Sequence, residues 1–145
     1  MTNRDVIVLD HLDGRSEQVV ALFQTSWWTA TRTAVAVERM LQGSDVVVGL
    51  VDPASDRLVG FARAVTDHTF LAVVLDVIVE PGYRGTGLGA RLMDELLGRP
   101  ELAEVDSIEL VCQPELIGFY RRFGFTDAVG RSLLMRRTAN RLLVG

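Results

Sequence analysis

The spacing of apolar and polar positions changes several times along the chain, and each change predicts an element. Arg4–Leu9 ends in alternation and predicts a first strand. Asp13-Gly14 predicts a turn, and Ser16 a cap for a helix running to about Thr25, with Val19, Leu22 and Phe23 on one face. A second helix is predicted over Arg32–Gln42, with Val37, Met40 and Leu41 inward and Gly43 ending it. The period then shortens. Valine-rich Asp45–Val51 and Arg57–Val65 predict a hairpin closed by the turn Asp52-Pro53-Ala54-Ser55-Asp56. Thr69–Val79 is a nearly continuous apolar run, the pattern of a strand covered on both faces. Pro81-Gly82 breaks it, and Gly87–Leu97 predicts an amphipathic helix with Leu88, Leu92, Met93 and Leu96 inward. Ser107–Cys112 predicts a strand parallel to the long one, reached through that helix. Glu115–Phe123 predicts a helix closed by Gly124, and Phe125–Val129 and Ser132–Arg137 predict short closing strands.

This order predicts an α/β (α+β) fold: a mixed, mostly antiparallel sheet with one central parallel pair and flanking helices. The 145 residues suit a single domain spanning 1–145. Hydrophobic residues make up 48%, enough for a packed core. No stretch approaches the roughly 20 apolar residues of a membrane helix, and the start lacks the order of a signal peptide. One cysteine, Cys112, allows no internal disulfide and no thiolate metal cluster, so a cytoplasmic setting without a metal is expected. A net charge of −4 argues against a nucleic-acid partner. Within that acidic balance, Arg84, Arg91, Arg121, Arg122 and the arginines from Arg131 on could still form a local basic patch for a phosphorylated ligand.

The chemistry concentrates in Val77-Ile78-Val79-Glu80-Pro81-Gly82-Tyr83-Arg84-Gly85-Thr86-Gly87-Leu88-Gly89-Ala90. Three glycines at alternate positions lie between an apolar strand and a helix. Glycine permits positive φ and close approach of the backbone to a ligand. The free amides at a helix N-terminus attract an anion, and Arg84 adds charge at the mouth. The segment reads as a pyrophosphate cradle rather than a tight connector. A Walker loop needs lysine, and the chain has none. Gly85, Gly87 and Ala90 match the dinucleotide fingerprint, with Glu109 placed 20 residues after Gly89. Only 55 residues follow Ala90, however, too few for the rest of a dinucleotide fold.

Arg84-x-x-Gly87-x-Gly89 after an apolar strand resembles the signature of the GNAT superfamily of acyl-CoA-dependent N-acyltransferases. Leu116-Ile117-Gly118-Phe119-Tyr120-Arg121-Arg122-Phe123-Gly124-Phe125 resembles that family's second signature. The resemblance implies an N-acetyltransferase that moves the acetyl group of acetyl-CoA to a primary amine by direct attack in a ternary complex. It implies that the strand ending in Val77, Ile78 and Val79 splays from its parallel neighbour. The pantetheine arm would fill the gap, and the amides of Gly85, Thr86, Gly87, Leu88, Gly89 and Ala90 would hold the pyrophosphate. Gln113 matches a position where the family often has Asn beside the cofactor arm. A CoA-binding module without turnover and a nicotinamide-dependent enzyme are the competing readings.

Thioester aminolysis needs a neutral amine, a stabilised oxyanion and a protonated leaving thiol. Deprotonating an alkyl ammonium at pH 7 costs about 4.6 kcal/mol. A backbone amide near Ile78 or Val79 could meet the oxyanion. Tyr120 is the candidate acid for the thiolate, against packing alone as its alternative. Asp76, in an apolar neighbourhood, is either a general base with a raised pKa or a structural carboxylate. Trp27, Trp28, Thr31 and Arg32 lie between the first two helices, where the family builds a wall of the acceptor pocket. Arg63 and Asp67 are further lining candidates, with surface roles as their alternative. Asp67, Asp76 and the tryptophan pair, in an acidic protein, point toward a cationic small amine. The acceptor is a small molecule or a peptide amine, and a homodimer is compatible with such a fold.

Overall fold

The computed structural model describes residues 5–144, so the Arg4 start of the expected first strand lies outside the described residues. Five strands form one sheet in the order β1-β2-β3-β4-β5: β1 (Ile7–Leu9), β2 (Val46–Asp52), β3 (Arg57–Thr66), β4 (Leu71–Val79) and β5 (Ser107–Leu110). Neighbours pair antiparallel except β4 and β5, which are parallel. The long apolar run becomes β4, second from the β5 edge rather than at the centre, and it is covered more fully at Ala72, Val74 and Ile78 than elsewhere.

Helices α1 (Ser16–Phe23) and α2 (Ala34–Gly43) cover one face of the sheet, and α3 (Leu88–Leu97) covers the other. On the α3 side, Leu88, Leu92 and Leu96 pack on Val48, Leu50, Ala62, Ala64 and Val74. On the α1/α2 side, Val19, Leu22, Phe23 and Val37 pack on Leu58, Phe61 and Ile78. Each fully buried aliphatic or aromatic side chain contributes roughly 2 kcal/mol, which holds short helices that would not persist alone. The caps differ from expectation. Ser16 falls inside α1, whose preceding residue Arg15 makes no side-chain cap, whereas Thr33 caps α2 by accepting from the Ala36 amide.

The residues separate into two compact units, one through Leu110 and one from Val111 onward. The second contains α4 (Ile117–Arg121), preceded by a single 3-10 turn at Pro114–Leu116. The strands expected at Phe125–Val129 and Ser132–Arg137 do not form, and residues 131–137 are exposed. Ser132–Arg137 consists mostly of Leu, Met and Arg, which favour helix over strand, and neither segment finds a ladder partner among the described residues. Gly130, at φ 72, also interrupts the run.

Candidate acyl-transfer site

The glycine loop follows directly on β4. Pro81–Tyr83 makes one 3-10 turn, initiated by the Glu80 carboxylate, which accepts from the Gly82 amide at 3.0 Å. The Tyr83 hydroxyl donates to Asp52 Oδ2 at 2.7 Å, tying the loop to the end of β2. That bond holds the Asp52 carboxyl below its usual range and pushes the Tyr83 hydroxyl up. The Thr86 hydroxyl donates back to the Tyr83 carbonyl, and Arg84 Nε donates to the Val79 carbonyl at 3.3 Å. Gly85 (φ 79) and Gly87 (φ 86) occupy the left-handed region, where any other residue is strained. A Cβ at Gly85 would meet nothing within 4 Å, so the loop faces open space.

Gly87 caps α3 without a side chain, and the first helical bond runs from the Arg91 amide to the Gly87 carbonyl at 3.1 Å. The amides of Leu88, Gly89 and Ala90 therefore precede the first helical donor and have no partner within the helix. Three amides at the positive end of the helix dipole suit a pyrophosphate, as the residue pattern suggests.

Among the described residues, the strand leading into this loop has no ladder partner on its β5 side beyond Val74. The β4–β5 ladder ends at the pair Val74↔Leu110, while β4 continues to Val79. Within β4 a bulge sets three residue steps, Leu75 to Ile78, against two on β3, Arg63 to Phe61. Asp76 sits in it with φ 55. The Glu80 amide donates to the Val59 carbonyl at 2.8 Å, which makes this a hydrogen-bonded pair. By alternation the Ile78 amide also points to β3 and the Val79 amide away from it, toward the unpaired side. Of the two expected oxyanion donors, only Val79 is on the open edge.

The bulge also decides where Asp76 goes. Ala72 and Val74 face α3, and strict alternation would carry Asp76 with them. Instead Val77 and Val79 return to the α3 side, and the Asp76 carboxylate reaches the α1/α2 side. There Arg32 Nη1 and Arg63 Nε each donate to Asp76 Oδ2 at 2.7 Å. The Asp76 side chain is 5% exposed, against 15% for Arg63 and 32% for Arg32. Arg63 Nη1 reaches the Ser44 hydroxyl at 3.4 Å, and the Arg32 guanidinium lies 5.0 Å over the Phe23 ring. Asp76 is a carboxylate paired with two arginine side chains rather than with backbone.

The two tryptophans differ in burial. Trp27 is exposed, Trp28 packs on the α1/α2 core, and their rings meet edge to face at 5.8 Å. Thr31 is exposed beside them. Asp67 lies in the exposed loop before β4. It accepts from the amides of Leu71, Thr69 and Phe70, which hold its carboxyl below the usual range.

In the second unit, Tyr120 is buried on α4, with its ring against Phe119 and Phe125. Burial pushes its hydroxyl up to about 12, with the charge of Cys112 adding. Burial likewise pushes the Cys112 thiol up. Gln113 is half-buried and opens the Pro114–Leu116 turn.

Sequence reasoning missed the Asp52–Tyr83 tie, because Asp52 reads only as a turn residue. It named Arg32, Arg63 and Asp76 separately but not their joining. An acid in an apolar run is a signal that some cation must come to it.

Among the described residues no group of acids, histidines or cysteines is placed to hold a metal, and no helix is long and apolar enough to cross a membrane. Comparison with known proteins agrees with the geometry. Residues 42–127 match the model of the acetyltransferase (GNAT) domain. An uncharacterised N-acetyltransferase of Porphyra purpurea is 40% identical over 91 residues, 61% of this chain and 52% of its own. The chloroplastic serotonin N-acetyltransferase 2 of Oryza sativa subsp. japonica is 45% identical over 92 residues, 61% of this chain and 46% of its own. The chain thus spans about half the length of these curated relatives. The crystal structure of a protein described as belonging to the GNAT family, from Xanthomonas campestris pv. campestris, superposes with a TM-score of 0.79 at 28% identity, covering 92% of each chain. The chain belongs to the GNAT family of N-acetyltransferases.

Proposed function

We propose that the protein transfers the acetyl group of acetyl-CoA to a primary amine by direct attack in a ternary complex, on a single domain spanning 1–145. One observation carries this reading: the open edge of β4 beyond Val74 runs straight into three helix-terminal amides. A pantetheine arm can pair with the edge as an added strand while its pyrophosphate meets the amides. Val77 and Val79 offer the edge; Gly85, Thr86, Gly87, Leu88, Gly89 and Ala90 form the cradle, with Arg84 at its mouth. Gln113 takes its cofactor role from the family motif.

The amine nitrogen attacks the thioester carbonyl carbon, the C–S bond breaks, and the amine proton passes to solvent. The Val79 amide meets the oxyanion. Tyr120, assigned from the motif, stays protonated and offers its hydrogen to the leaving sulfur. With its hydroxyl at about 12, full transfer to a thiolate near 8.5 is uphill by about 5 kcal/mol. It therefore acts as a hydrogen-bond donor, and solvent supplies the final proton. Asp76 positions Arg32 and Arg63 rather than taking the amine proton. Trp27, Trp28, Thr31, Arg32 and Arg63 form the acceptor side.

Calorimetric titration with acetyl-CoA, in parallel with NADH, on wild type and Gly87→Trp tests the cofactor. Saturable binding of acetyl-CoA alone, lost in the variant, is expected. NADH binding in its place would refute the assignment. Free-thiol release with amines then separates an enzyme from a CoA-binding module.

A further inference from the structure

We infer that the amine acceptor carries an anionic group, a carboxylate or a phosphate, and that Arg32 together with Arg63 binds it. This rests on the acetyltransferase reading and adds the chemical class of the second substrate.

Arg32 and Arg63 share one oxygen of one carboxylate, each at 2.7 Å, so the two donating nitrogens are at most twice that distance apart. Two cations and one anion leave one positive charge uncompensated. Each guanidinium carries five N–H donors. Arg32 commits only Nη1, and Arg63 commits Nε and Nη1, to protein partners among the described residues. No buried side-chain nitrogen or oxygen lacks a partner among the described residues, so the uncommitted nitrogens reach solvent. The cluster presents a planar, partly desolvated cationic fork, the geometry that takes a carboxylate or phosphate.

Its placement links it to the reaction. Arg63 pairs in register with Leu75, the first residue past the end of the β4–β5 ladder, and Asp76 follows it in the β3–β4 bulge. Trp27 and Thr31, exposed, precede Arg32 on the same connection between α1 and α2. Of the two acids that the acidic composition offers to a cationic amine, Asp76 is bound by two arginines, and Asp67 sits in the exposed loop before β4 with its Oδ1 accepting from three loop amides. A positive surplus repels an ammonium ion and favours the neutral amine, which is the form that attacks.

The test measures acetyl-CoA-dependent thiol release with matched acceptors: ornithine against putrescine, tryptophan against tryptamine, and glucosamine 6-phosphate against glucosamine. In at least one pair the anionic member is expected to have the higher kcat/KM, by about tenfold or more. Arg32→Gln should raise KM for that acceptor by about 10- to 100-fold, the range of a lost charge-assisted contact. The loss for its uncharged counterpart should be at least tenfold smaller, so that the preference between the two members collapses, and Arg32→Lys should restore part of that preference. Arg32 is the residue to change because Arg63 still neutralises Asp76. Preference for the uncharged member in every pair, turnover of neither member in any pair, or an equal loss for both members in Arg32→Gln would overturn the inference. Failure of wild type to bind acetyl-CoA would instead overturn the reading on which it rests.

Discussion

Replacing Asp76 by Asn removes one charge and little else. Asn matches Asp in shape and tolerates the left-handed φ of 55 that the bulge requires, so backbone strain is unchanged. What is lost is the anion between two guanidiniums, each bonded at 2.7 Å. A hydrogen bond to a charged group is worth about 1.5–3 kcal/mol, and breaking a buried pair costs about 3–5 kcal/mol. Arg32 is a third exposed, which discounts its share, and the amide oxygen of Asn retains one weaker bond. The expected destabilisation is about 3 kcal/mol, a fall in Tm of about 10 °C for a chain of this size. Urea unfolding followed by tryptophan fluorescence and by circular dichroism measures it, the two probes together checking two-state behaviour. A loss below about 1 kcal/mol with unchanged m would refute the argument that this carboxylate holds the acceptor side together.

Tyr83→Phe deletes the donor to Asp52 and is expected to weaken acetyl-CoA binding several-fold by calorimetry while costing about 1 kcal/mol of stability, the worth of one hydrogen bond. Tyr120→Phe should lower kcat by about 10- to 100-fold with the KM for acetyl-CoA unchanged, the worth of one hydrogen bond to a charged sulfur. Because the Tyr120 hydroxyl is raised to about 12 in the folded protein, the wild-type rate should show no alkaline fall from this group up to pH 10. The unfolded chain ionises near 10, so stability from Tyr120 is complete below pH 10 and is lost between about 10 and 12, by up to about 3 kcal/mol. Urea midpoints across that range should fall in wild type and fall less in Tyr120→Phe. Gly87→Ala forces a side chain to φ 86, costs about 1–2 kcal/mol, and should weaken acetyl-CoA without moving the KM of the amine.

Much of this molecule is legible in its local pattern. Leu88, Leu92 and Leu96 recur at helical spacing and do face the sheet. The turn at Asp52–Asp56 does join two valine-rich strands, and Gly85 and Gly87 do take positive φ ahead of α3. In each case the determining interaction lies within a few residues along the chain. The misses share the opposite property. Ser132–Arg137 carries an apolar run short enough for a strand, yet a strand exists only with a partner, and partnering is not a local property.

The sequence by itself determined most of the elements, the parallel crossover and the glycine loop ahead of α3, because periodicity, glycine stereochemistry and helix-end amides act over one or two turns. Only the tertiary structure decided what Asp76 is. A single extra residue in β4 turns its carboxylate from the α3 face to the α1/α2 face, where arginines from 44 and 13 positions away close on one oxygen. Period-two alternation has no memory of such an insertion, and a buried charge states only that it needs partners, not which ones.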